Sequence, residues 1–72
     1  QLQVYDKARD NFARAISVSQ RNFKAHYGRG FSFEMLGDLT NAATDYRTAL
    51  SIRPNHQASA EALARVKKKM AD

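Results

Sequence analysis

The stretch that decides the fold runs from Phe23 to Asn55 and reads FKAHYGRGFSFEMLGDLTNAATDYRTALSIRPN. The pair Gly37-Asp38 divides it into two segments of helical length. A glycine followed by a polar residue is typical of a helix C-terminus and of the turn after it. The pattern therefore predicts two antiparallel helices, the upstream one running from about Phe23 to Leu36.

The downstream helix is predicted to begin near Thr40, which is suited to cap its N-terminus, and to end at Arg53. Arg53 precedes Pro54, and a residue before proline avoids the α region. Gly30 costs about 1 kcal/mol in helix propensity, so its place inside the upstream helix needs a packing reason. We expect Gly30 to face the small Ala42, so that the two backbones can approach closely.

The pattern recurs outside this stretch with a period of 34 residues. Sliding the chain by that offset superposes residues of one class in these pairs: Tyr5 and Leu39, Ala8 and Ala42, Phe12 and Tyr46, Ala15 and Ala49, Ile16 and Leu50, and Val18 and Ile52. Within each copy the positions share one helical face. The repeat therefore predicts a first helix from about Val4 to Ser19.

A fourth helix is predicted from about His56 to Met70, with Asn55 as its N-cap. Basic residues occupy much of its surface, and three lysines at 67–69 stand near its end. Cations there complement the negative end of the helix dipole, so we interpret the lysines first as a solvated helix end. Contact with an acidic partner or with nucleic acid stays open.

With these elements placed, the chain resembles the tetratricopeptide repeat (TPR) family, whose unit is a helix–turn–helix of 34 residues. Counted from Phe23, small residues stand at positions eight, twenty and twenty-seven, aromatic residues at eleven and twenty-four, and proline at thirty-two. These residues are Gly30, Ala42, Ala49, Phe33, Tyr46 and Pro54. The chain departs from the family pattern at His26, where a large aromatic is usual, and at Gln20, where the preceding repeat would have proline.

The resemblance implies an all-α fold: a stack of TPR-type helical hairpins that is a fragment of a right-handed α-solenoid superhelix. Residues 1–22 would be the second helix of a truncated repeat, residues 23–55 a complete hairpin, and residues 56–72 a C-terminal capping (solvating) helix. Stable arrays usually contain at least three repeats, so we expect the chain to be the C-terminal part of a longer array.

Composition limits the functional classes. The chain has 72 residues, a formal net charge of +5 and no cysteine, so neither a disulfide nor a thiolate metal site is available. No apolar run approaches the roughly 20 residues that a membrane-spanning helix needs. Together with the lack of a signal segment, this predicts a cytoplasmic protein without membrane insertion. The positive charge favours acidic partners.

Catalysis and metal binding are not predicted. His26 and His56 are far apart in the sequence, and no histidine or carboxylate recurs four positions from either of them. A zinc site needs three or four convergent ligands, and no serine–histidine–carboxylate pattern is visible. We therefore predict no enzyme activity, no cofactor and no small-molecule substrate, and we expect His26 to pack at the seam of the helix pair.

The face that stacked hairpins leave open is the predicted functional surface. As the resemblance implies, set positions on the first helix of each repeat line a concave groove. Here they are Lys24, Tyr27, Gly28, Phe31, Glu34 and Met35, with Glu61 and Arg65 added from the fourth helix. This mixture of a cation, aromatic rings and methionine suits a peptide. The predicted function is protein–protein interaction, with a partner peptide or helix in the groove and the chain part of a larger complex.

Four alternatives remain open. The chain could be a purely architectural segment, the closing end of a longer solenoid whose groove lies mostly elsewhere. Phe31 and Met35 could instead pack against the fourth helix or against a further helix upstream of the chain. Co-chaperone modules of the family clamp the terminal carboxylates of chaperone peptides with lysine at position two and arginine at position six; Lys24 matches the first, but Gly28 lacks the guanidinium fork of the second. A basic helical segment that binds nucleic acid would instead depend on Lys67 and weaken steeply with salt.

Overall fold

The computed structural model describes residues 2–71, which form four α-helices with short connections. The helices are α1 (Leu2–Val18), α2 (Phe23–Met35), α3 (Leu39–Ile52) and α4 (Gln57–Ala71). Every regular element of the described residues is helical, so the predicted all-α fold is confirmed. α1 packs on α2, α2 on α3 and α3 on α4, which is the sequential stacking of an α-solenoid.

The turn after α2 explains why α2 and α3 form a hairpin. Gly37 adopts a positive φ of 85°, which glycine reaches without a steric cost. The backbone N–H of Gly37 donates to the carbonyl of Glu34 at 3.0 Å, and that of Asp38 donates to the carbonyl of Phe33 at 2.9 Å. Together these bonds form a Schellman motif, which satisfies the last carbonyls of the helix. The predicted turn at Gly37-Asp38 is confirmed.

Replacing Gly37 with alanine should destabilise the chain by about 1 kcal/mol, because a Cβ atom is disfavoured at positive φ. No neighbouring heavy atom lies within 4 Å of the place that this Cβ would take, so the cost comes from the backbone. Urea denaturation measures it. Gly37→Asn tolerates the conformation better and should lose less, and equal stability of Gly37→Ala and the wild type would contradict the expectation.

The predicted cap of α3 is wrong by two residues. The helix begins at Leu39, and Asp38 is its N-cap instead of Thr40. The Asp38 carboxylate accepts hydrogen bonds from the backbone N–H of Asn41 at 3.3 Å and from its side-chain amide at 2.7 Å. Asp38 therefore closes the turn with its backbone N–H and caps the next helix with its side chain.

The predicted start of α4 is also early. The helix begins at Gln57, so His56 and not Asn55 precedes it. His56 still belongs to the turn after α3, because its backbone N–H donates to the carbonyl of Arg53 at 3.0 Å. The Nδ1 atom of His56 then lies 2.6 Å from the hydroxyl of Ser59 in the first turn of α4.

The core lies between α2, α3 and α4, and α1 contributes no fully buried residue. The buried cluster consists of Ala42, Ala43, Tyr46, Ala62 and Val66. Gly30 contacts it closely, because a Cβ on Gly30 would lie 2.9 Å from the Tyr46 ring and 3.1 Å from the Cβ of Asp45. The expected packing role of Gly30 is thus confirmed, but its nearest neighbours are Tyr46 and Asp45 and not Ala42.

Candidate partner-binding surface

An apolar cavity of about 360 Å³ lies between α1 and α2. Three of the predicted groove residues line it on α2, namely Tyr27, Gly28 and Phe31. The remaining lining residues are Val4, Tyr5, Ala8 and Phe12 on α1, and Ser32 on α2. This volume is at the lower end of the range for ligand pockets, so the cavity can accept one large apolar group.

Gly28 lets an aromatic ring from α1 touch the backbone of α2 at the wall of this cavity. A Cβ on residue 28 would fall 2.6 and 2.7 Å from two carbon atoms of the Phe12 ring. The ring therefore occupies the space that any side chain at this position would need. A bulkier residue would push Phe12 away from α2.

The rim of the cavity is aromatic and open to solvent. The rings of Tyr5 and Phe31 meet edge to face, with centroids 6.2 Å apart, a favourable geometry for aromatic pairs. Phe31 is nevertheless 38% exposed, and Val4 beside it is 57% exposed. Phe31 thus packs on the neighbouring α1 and still presents part of its ring outward. A connected apolar patch of this kind is typical of interaction sites.

A charged cluster lies next to this cavity, centred on Glu34, whose side chain is fully buried. Its carboxylate accepts a hydrogen bond from the Tyr46 hydroxyl at 2.8 Å. The guanidinium of Arg65 on α4 donates to the same carboxylate through Nε and Nη2, both at 2.7 Å, and Nζ of Lys69 donates at 2.8 Å. Two predicted groove residues, Glu34 and Arg65, therefore bind each other across the helix stack.

The electrostatics of the cluster follow from these bonds. The Arg65 guanidinium, with smaller help from Lys69 and Tyr46, lowers the pKa of Glu34 to about 2 against the desolvation that opposes it. The hydrogen bond to Glu34 in turn raises the pKa of Arg65. Burial first, and then the bond to Glu34, raises the pKa of the Tyr46 phenol. Glu34 is thus ionised, and both of its carboxylate oxygens already accept hydrogen bonds from other residues of the protein.

A second ion pair lies on α2 and α3 and is structural. Arg29 donates to the buried Asp45 through two nitrogens, at 2.8 and 2.9 Å, and this bonding raises the pKa of Arg29. His26 is buried beside it, as predicted for a residue at the helix seam, with Nε2 2.9 Å from the carbonyl oxygen of Gln20. Arg29 thus joins the two helices of the hairpin through Asp45. Its guanidinium does not take the place of the arginine that a carboxylate clamp would have at position 28.

The other predicted groove residues belong to neither the cavity nor the cluster. Lys24 is exposed on the first turn of α2, and Met35 is half-buried at its end. Glu61 is exposed on α4, where it accepts a hydrogen bond from Gln57 at 3.0 Å. Of the lysines at 67–69, the first two are exposed without a contact to Glu34, so Lys69 alone connects the basic segment to the cluster.

The chain combines three features of a known repeat family. They are a helical hairpin with a turn at Gly37, small residues at the α2–α3 crossing, and an open face. Residues 23–56 match the sequence pattern of that family. These residues are a tetratricopeptide repeat. The protein bimA of Emericella nidulans is 35% identical over 52 residues, which cover 72% of this chain and 6% of that protein. The chain thus spans a small part of the relative's length. A tetratricopeptide repeat is a module for protein–protein interaction.

Seven residues of these two sites were not predicted from the sequence as site residues. They are Val4, Tyr5, Ala8, Phe12 and Ser32 at the cavity and Tyr46 and Lys69 in the cluster. The 34-residue period pairs Tyr5 with Leu39 and therefore suggests a core position. The sequence spacing does indicate the cluster. Arg65 and Lys69 follow Glu34 by 31 and 35 residues, close to the repeat length of 34 residues. Opposite charges so spaced lie on equivalent, adjacent helices of a tetratricopeptide array.

Residues 2–71 offer neither a metal site nor a membrane-spanning helix. No group of three or more histidine, cysteine or acidic side chains is arranged to hold a metal ion in this range. Across the same residues, every helix falls short of the length and apolarity required to cross a membrane.

Proposed function

We propose that this chain binds a peptide or helix of a partner protein along the face formed by the α1–α2 cavity and the adjoining surfaces of α2 and α4. The observation that carries the proposal is the open aromatic cavity. Filling an apolar cavity with an apolar side chain removes apolar surface from water, and this favours binding. Phe31 and Tyr27 supply apolar contact, Lys24 supplies charge, and Met35 lines the edge. Glu61 borders the site on α4.

A peptide selection tests the proposal. Random peptides displayed on phage are selected against the immobilised 72-residue chain, and the dissociation constants of the enriched peptides are measured by fluorescence anisotropy. We expect Phe31→Ala to weaken binding about tenfold, which corresponds to the loss of roughly half of a buried aromatic contact.

Val18→Ala is the matched control for this loss. Val18 is also a large apolar residue and is 89% exposed, but it lies at the other end of α1 from the cavity. It should leave the dissociation constant unchanged. A selection that enriches no peptide, or peptides that bind Phe31→Ala and Val18→Ala equally well, would show that the cavity is not the binding site.

A further inference from the structure

Glu34 fixes two cations at the protein surface. Its buried carboxylate binds Arg65 and Lys69 together, while the side chains of these residues remain 45% and 46% exposed. Tyr46 donates to Oε1 of the same carboxylate from the core, so the group is anchored on its inner side as well. The side chains of Arg65 and Lys69 are therefore held in place without being buried. A ligand that binds them pays less of the entropy cost of ordering these side chains.

The cluster has unused binding capacity. Glu34 engages Arg65 through Nε and Nη2, which leaves Nη1 unengaged by that carboxylate, and it takes one of the three N–H groups of Lys69. One negative and two positive charges leave a net charge of +1. A single additional carboxylate would neutralise the cluster, whereas several together would repel one another and Glu34.

The cluster and the cavity are close enough to serve one ligand. Phe31 on the cavity rim and Glu34 in the cluster are three residues apart on α2, so they share a side of the helix and differ by about 5 Å along its axis. Arg65 and Lys69 reach this point from α4, a neighbouring helix at about 8–10 Å. An extended peptide covers these distances in about two to three residues.

We propose that Arg65 and Lys69 form a binding site for one carboxylate of the partner, an aspartate or glutamate side chain about two or three residues from the apolar residue that fills the cavity. This assignment rests on the proposed function, because it names the chemistry of the same partner segment. The positive charges of Arg65 and Lys69 support the assignment because they complement a carboxylate. Glu34 acts as a positioning residue that holds these two side chains.

The test is a double-mutant cycle on an enriched peptide that contains the acid. The peptide is compared with its Glu→Gln or Asp→Asn form on the wild type, Lys69→Gln, Lys69→Arg and Lys67→Gln chains. We expect Lys69→Gln to weaken the acidic peptide about fivefold and the amide peptide not at all. Lys69→Arg should keep the affinity. The pair of Arg65 with Glu34 remains in Lys69→Gln, and thermal unfolding verifies that this variant is folded.

Lys67→Gln removes the same charge from the same helix. Lys67 is two residues from both Arg65 and Lys69 and points about 160–200° away from them, so it should not change the affinity. Equal weakening by Lys67→Gln and Lys69→Gln, with a steep salt dependence, would overturn the assignment in favour of a diffuse basic surface such as nucleic acid uses.

The two proposals fail in different ways. If enriched peptides depend on Phe31 but carry no acid near their apolar residue, or bind Lys69→Gln as well as the wild type, the carboxylate site is overturned while the cavity stands. If no peptide depends on Phe31, the proposed function itself is overturned.

Discussion

Replacing Tyr46 with alanine is expected to destabilise the chain by about 4 kcal/mol, within the range of about 3–5 kcal/mol for truncation of a buried aromatic residue. The ring is fully buried, it touches Gly30 on α2, and it belongs to the cluster that joins α3 to α4. Its hydroxyl also donates to Glu34. The substitution therefore creates a cavity and removes a partner from a buried carboxylate, which add to each other. Chains of this size have few kilocalories to lose, so most molecules should unfold.

Urea denaturation followed by far-ultraviolet circular dichroism measures this effect. Tyr46→Phe is the control, because it keeps the ring and removes only the hydroxyl, and it should cost about 1 kcal/mol. If Tyr46→Ala were no less stable than Tyr46→Phe, the ring would not be the centre of the core, and the close contact with Gly30 would have no energetic role.

The sequence predicts the helices well because the signals that delimit them act over a few residues. Gly37 ends α2 at the expected place, Pro54 ends α3, and each observed helix boundary lies within two residues of the expected one. The errors at the caps have the same origin. Thr40 and Asp38 can both cap a helix, and the choice between them depends on the backbone of the turn, which the residue types alone do not determine.

The candidate site is less predictable because its parts meet across helices. The spacing on α2 predicts Glu34 at the groove wall, but the periodicity of one helix cannot tell whether a side chain from another helix reaches it. Arg65 and Lys69 do reach it, and they convert a predicted ligand contact into an internal anchor. The cavity is similar: it depends on where the Phe12 ring lies against Gly28, which follows from the packing of α1 on α2.

Acidification should remove the contribution of Glu34 to stability. The pKa of its carboxyl is about 2 in the folded chain, below its ordinary value of 4.5. A lowered folded pKa means that the stabilisation is present above the unfolded pKa and is lost as the pH falls towards the folded one. The full shift corresponds to about 3 kcal/mol. We expect about 2 kcal/mol between about pH 6 and pH 2, because solvent screens the half-exposed Arg65 and Lys69.

Glu34→Gln isolates this contribution from that of the other acids. At neutral pH the variant should be about 2 kcal/mol less stable than the wild type in urea, and the difference should vanish near pH 2, where Glu34 of the wild type is itself becoming neutral. Glu61→Gln is the matched control, since Glu61 is exposed on α4, and its stability should parallel the wild type at every pH. A constant difference between Glu34→Gln and the wild type from neutral to acid pH would mean that the amide disturbs packing, and that the charge of Glu34 does not hold the two cations in place.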